Sequence, residues 1–182
     1  AAGVLGWTVV DVGIFGILAI VTGALFCWLG GMADARFGPK PVIAACILAL
    51  TFVAVSILFI APGSLFGIAL PEGSPLPDIA FYLCGAVIGA AGGVLQAASR
   101  TMMVRQADPA KMAESFGLYA LAGKATSFIA PLSIGFATWA TGSQQLGVTP
   151  LIALFLMGLF LLRWVKPEGD RAAWDASQPA SA

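Results

Sequence analysis

The sequence predicts an all-α membrane protein of five transmembrane helices, and three observations carry that reading. Hydrophobic residues make up 59% of the 182 and charged residues 10%, with a mean hydropathy of +0.95. That composition belongs in a bilayer rather than around a soluble core. Five apolar runs, at 9–29, 41–60, 79–103, 115–139 and 146–165, each approach the ~20 residues that a spanning helix needs. Basic residues alternate between connections: Arg36 and Lys40, then none, then Arg100, Arg105 and Lys111, then none, then Arg163, Lys166 and Arg171. The positive-inside rule places the basic connections and the C-terminus in the cytoplasm.

The same composition excludes several functions. Formal net charge is zero, so no overall basic surface points to nucleic acid. Histidine is absent, which removes imidazole acid–base chemistry and histidine metal ligation. Cys27, Cys46 and Cys84 sit singly in apolar runs without C-x-x-C spacing and read as core residues. With no paired intramembrane carboxylates, no G-x-S-x-G and no phosphate loop, an enzyme is the least supported class, and no cofactor or metal is expected.

Asp11 stands at the start of the first span, where its carboxylate suits the positive end of a helix and reads as a cap, with transport chemistry as the alternative. Residues 30–40, with three glycines, Asp34, Arg36 and Lys40, read as a short turn before the second span. The connection from 61 to 78 is rich in proline and glycine and carries no Lys or Arg. It is the long loop, extracytoplasmic by charge, with Leu65–Ile68 placed at the membrane interface. In the third span Gly85, Gly89, Gly93 and Ala97 recur every four residues, a stripe that admits another helix at close range. Gln96 lies one turn before Arg100, at the mouth of a pathway or in a helix–helix hydrogen bond. Residues 1–165 form the transmembrane part, and 166–182, polar and rich in small residues, read as a disordered cytoplasmic tail.

The fourth span holds the residue that most needs explaining. Lys124 lies nine residues after Ser115, roughly 13 Å into the membrane at ~1.5 Å per residue. A cation there costs ~2.5–3.5 kcal/mol, so it is expected to face a protein interior or an aqueous cavity. On a continuous helix Gly117, Ala120, Ser127, Pro131 and Gly135 share its face, while Leu118, Ile129 and Phe136 lie opposite. Small and polar residues beside the lysine mark a protein- or cavity-lining face. The alternative is a lysine that snorkels to an interface.

The loop residues Gly31, Asp34, Arg36, Gly38 and Lys40 resemble the G-x-x-x-D-R-x-G-[RK] cytoplasmic loop of the major facilitator superfamily, with Ala35 between the aspartate and the arginine. A second block, Gly93-Val-Leu-Gln-Ala-Ala-Ser-Arg100, is followed by the segment from Phe116 to Phe128 and by Thr141-Gly-Ser-Gln144. It is similar to the vacuole-effluxer-like branch of that superfamily, whose fungal members are linked to amino-acid export from the vacuole. The resemblance implies spans eight to twelve of a twelve-span transporter, with the N-terminal half as the missing partner. Orientation leads to the same expectation from the residues: five spans ending inside start outside, so at least one preceding span is expected.

Two function classes remain open on the sequence. A secondary transporter in a bacterial-type cell membrane would use Lys124, with Gln96 and Ser127, for a small-molecule substrate's carboxylate or phosphate, or for a gating ion pair. A membrane scaffold would need only the glycine stripe. Lys124 discriminates between them, because a scaffold gains nothing from an unpartnered midplane charge.

Overall fold

The computed structural model describes residues 5–61, 64–71, 74–167 and 169. Most of the expected tail, Glu168 and 170–182, lies outside the described residues.

Helix α1, Val9–Phe37, begins at a reciprocal cap. Thr8 donates from its backbone and hydroxyl to the Asp11 carboxylate at 2.9 and 2.6 Å, and Asp11 N–H donates back to Thr8 Oγ1 at 3.3 Å. These bonds occupy donors that the first helical turn would otherwise leave orphaned. Asp11 is thus a cap, as its position in the sequence indicates. The helix then runs through Gly30 and Gly31, correcting the reading of 30–40 as a turn. Packing decides the matter: a Cβ on Gly30 would lie 2.6 Å from Val94, and this close approach outweighs the ~1 kcal/mol that glycine costs a helix. The chain turns only at Gly38, where φ is +84°, a conformation that disfavours residues with a Cβ. Pro39 then starts α2, Pro39–Ile57, at the position where its missing N–H costs nothing.

The long connection contains three two-residue antiparallel strands, β1 Ile60–Ala61, β2 Ser64–Leu65 and β3 Ile68–Ala69, in the order β1-β2-β3. Pairing Leu65 with Ile68 leaves Phe66 and Gly67 as the turn, both at positive φ, as the twist of a two-residue hairpin demands. Helix α3 spans Leu76–Gln106 and a 3-10 turn covers Pro109–Lys111. The expected fourth span is two helices, α4 Met112–Thr126 and α5 Ile129–Thr141. A 3-10 turn at Leu146–Val148 leads into α6, Thr149–Leu162. Its 14 residues and the preceding 3 give about 27 Å, near the ~30 Å hydrocarbon thickness. Four helical stretches are long and apolar enough to cross a membrane, with Leu146–Leu162 the shorter fifth. This is a multi-pass, all-α membrane protein.

The helices pack as a series: α1 lies on α3, α3 on α2, α2 on α6 and α6 on α5. Val42, Ile43, Cys46, Ile47 and Leu50 of α2 pack on Ala91, Val94, Ala98 and Met102 of α3, and Val53 and Ala54 continue the buried stripe of α2. Phe155, Leu159 and Leu162 of α6 close that core from the other side. The glycine stripe of α3 finds its partner in α1. A Cβ on Gly93 would sit 2.6 Å from the Gly23 carbonyl oxygen, one on Gly89 would strike the Ala19 carbonyl and the Thr22 hydroxyl, and one on Gly85 would strike the Phe15 ring.

Candidate functional site

Lys124 is in the last turn of α4, just before the span breaks at Ser127 and Phe128. The break has a chemical cause. Pro131 has no N–H to give the Ser127 carbonyl, and its ring crowds that same carbonyl four residues back. Local hydroxyls take over part of the ladder: Ser127 Oγ donates to the Lys124 carbonyl at 2.8 Å, and Thr126 Oγ1 to the Ala122 carbonyl at 2.8 Å. One apolar span therefore carries a cation, two hydroxyls and the C-terminal end of a half-helix at one level. A cation is favoured there because the carbonyl end of a helix is its negative pole.

The break also corrects the single helical wheel. Pro131 and Gly135 belong to α5, so they do not continue the face of Lys124. Every residue from Phe116 to Ile129 is exposed within this chain, on both sides of α4. Leu118 is 67% and Phe128 61% exposed, and Lys124 meets no ion-pair partner among the described residues.

Gln96 is on the exposed surface of α3. Helix α4 meets α3 one turn further on, where the Tyr119 hydroxyl lies 2.9 Å from Ser99 Oγ, which itself donates to the Gln96 carbonyl at 3.0 Å. The structure thus joins the two helices beside Gln96 through backbone and hydroxyls, and no hydrogen bond links the Gln96 side chain to Lys124 or Ser127 among the described residues. The loop residues do not gather into one site. Gly31 and Arg36 are exposed, with the Arg36 guanidinium 5.4 Å from the ring centre of Phe37. Asp34 is buried, its carbonyl accepts from Gly38 N–H at 2.8 Å, and its Oδ1 has no hydrogen-bond partner among the described residues. Lys40 reaches α6, where its ammonium donates to the carbonyls of Arg163 at 3.1 Å and Val165 at 2.8 Å.

Sequence reasoning missed the break, although Pro131 following Ser127 by four residues is a signal that could have placed it. It also missed Gln145, whose side-chain amide reaches the carbonyls of Ile57, Leu58 and Ile60 at 3.3, 2.9 and 2.8 Å. Nothing in the uncharged turn around Gln145 announces a contact 85 to 88 residues away.

The family described as vacuole effluxer Atg22 like matches residues 64–174, more than half of the chain. The chain belongs to that family. The match covers Gln96, Lys124 and Ser127, whereas the Gly31–Lys40 loop precedes it. Over 88 residues the chain is 31% identical to the uncharacterized MFS-type transporter YxiO of Bacillus subtilis (strain 168), an alignment covering 48% of this chain and 21% of that relative. The chain therefore spans about a fifth of the length of the relative it matches. No solved structure matches it. Membership of the vacuole effluxer-like family agrees with the resemblance read from the Gly93–Arg100 and Phe116–Phe128 segments.

Proposed function

We propose that this chain is part of a secondary transporter that moves a small solute, amino acids being the first class to test, by alternating access. Lys124 supplies the midplane charge, with Ser127 beside it and Gln96 toward the basic end of α3. One observation carries the reading: an apolar span breaks just after a lysine, and no helix among the described residues covers that lysine. Discontinuous spanning helices are what transporters use to present backbone and charge to a substrate or ion near the midplane. Irregular backbone at that depth is tolerated only against protein or a water-filled cavity, so α4 and α5 fit against a second bundle, the N-terminal half of the transporter. The alternation of basic connections supports a cytoplasmic C-terminus, and a bacterial-type cell membrane is part of the same proposal.

The test is transport by the full-length protein carrying Lys124→Met. Loss of uptake or efflux to background, with membrane expression unchanged, is the expected result. Lys124→Arg separates the two uses of the charge, since a tightly shaped carboxylate site discriminates a planar guanidinium from a compact ammonium. Wild-type transport by the Met variant would instead make the lysine a snorkelling anchor. A scaffold would tolerate the same change, because removing an unpaired charge from the bilayer favours insertion.

A further inference from the structure

The basic end of the bundle holds a second feature, independent of Lys124 and of transport. Between α2 and α6 runs an open groove of about 560 Å³ whose walls include Pro41, Ala44, Leu156 and Phe160 and whose mouth carries Lys40 and Arg163. Its lining is apolar except at that mouth, and no carboxylate takes part in it among the described residues. Lys40 is held in place by two carbonyls just past the end of α6, those of Arg163 and Val165, which leaves one of its three ammonium protons for a further acceptor. The Arg163 guanidinium makes no hydrogen bond among the described residues. Trp164, 65% exposed, packs edge-on against Phe160 with ring centres 4.5 Å apart, an amphipathic ring at the level where tryptophans mark the membrane–water boundary.

The geometry points to a binding site for an anionic phospholipid, one acyl chain lying in the α2–α6 groove and the phosphate held by Lys40 and Arg163. Two cations above an apolar slot, at the end of the molecule that also bears Arg100, Arg105 and Lys111, complement a lipid with a negative headgroup. A zwitterionic lipid offers the same chains without the net charge. A second copy of the protein would fill the slot but leave both cations unmatched.

Native mass spectrometry of the full chain, equilibrated in detergent with equimolar phosphatidylglycerol and phosphatidylcholine of identical acyl chains, tests the site. Wild type is expected to retain phosphatidylglycerol with a preference of about tenfold or more, and Arg163→Gln to lose about fivefold of it, as expected for ~1 kcal/mol per basic residue near a membrane surface. Lys111→Gln, at the same end but away from the groove, should leave the preference within about twofold, since only a diffuse field would feel its loss. Ala44→Trp fills the slot while keeping both cations and should abolish retention, with thermal unfolding confirming that each variant is folded. Equal retention of the two lipids, an equal effect of Lys111→Gln and Arg163→Gln, retention undiminished in Ala44→Trp, or a dimer mass in place of bound lipid would each overturn the assignment.

Discussion

The α1–α3 seam and the α4–α5 span use the same small residues to different ends. In the seam Gly23, Gly30, Gly85, Gly89 and Gly93 each leave room that a backbone or side-chain atom of the facing helix already occupies. In α4–α5, Gly117, Gly123 and Gly135 face nothing within 4 Å. Lipid tails are as apolar as leucine, so small residues join helices only where a matching surface lets backbones touch and dispersion contacts accumulate. The seam has that surface within the chain. The lysine span, with its cation and interrupted ladder, touches α3 through Tyr119 and α6 through α5, but its glycines find no such surface among the described residues.

The largest stability effect should come from filling the seam. Gly89→Leu drives a side chain into the Ala19 carbonyl and should cost ~3 kcal/mol or more, at the upper end of overpacking penalties, because backbone cannot step aside as a side chain can. Gly117→Leu, facing open space, should stay within ~0.5 kcal/mol. Denaturant unfolding in detergent compares the two. Equal costs would mean that α4 is packed as tightly as α3, and the contrast would disappear.

A smaller effect is expected at Gln145, which ties the turn before α6 to the end of α2. Gln145→Leu removes the shared donor of three carbonyls and should cost ~1–3 kcal/mol, as for polar groups stripped of a partner. The neighbouring Gln144, exposed and without these bonds, is the control: Gln144→Leu should change the unfolding midpoint little. If the two variants shift it equally, the amide does not hold the turn.

How much of this was legible depended on whether the cause was local. The five apolar runs, the Asp11 cap and the stripe at Gly85, Gly89 and Gly93 follow from spacing alone; the structure has the cap and the stripe and makes the runs helical, the fourth in two pieces. The identity of the stripe's partner did not follow, because Gly23 and Gly30 are unremarkable in a span rich in small residues until Gly89 and Val94 lie against them. The same tertiary contact kept α1 helical through a glycine pair that local propensity reads as a turn. At the site, the position of Lys124 within an apolar run was plain, but the break beside it was not, because a single wheel assumes an unbroken ladder. Ser127 then changes role, from one residue of a polar face to the C-cap of the half-helix ending at Thr126, its hydroxyl bonded to the Lys124 carbonyl.

The smallest effect, expected at Leu121, is also the one that sharpens the comparison most. Leu121 is 64% exposed on α4, whereas Leu50 lies in the buried stripe of α2. Leu50→Ala should leave a gap among α2, α3 and α6 and cost ~2–5 kcal/mol, since neighbours collapse only partly into a lost side chain. Leu121→Ala removes a side chain that trades contacts with lipid for contacts with lipid, so its cost should not exceed the ~0.3–0.6 kcal/mol by which leucine favours insertion. The two leucines share chemistry and hydropathy, so the difference between them isolates packing against protein. Under the proposed function, the comparison extends one step further when the same variants are measured in a full-length protein that includes a second bundle. If a second bundle covers α4, the cost of Leu121→Ala should rise toward that of Leu50→Ala while the latter stays fixed. A Leu121→Ala cost that is already large in this chain alone would show α4 packed without a partner, and one that stays near zero in the full-length protein would place this face of the lysine span in lipid.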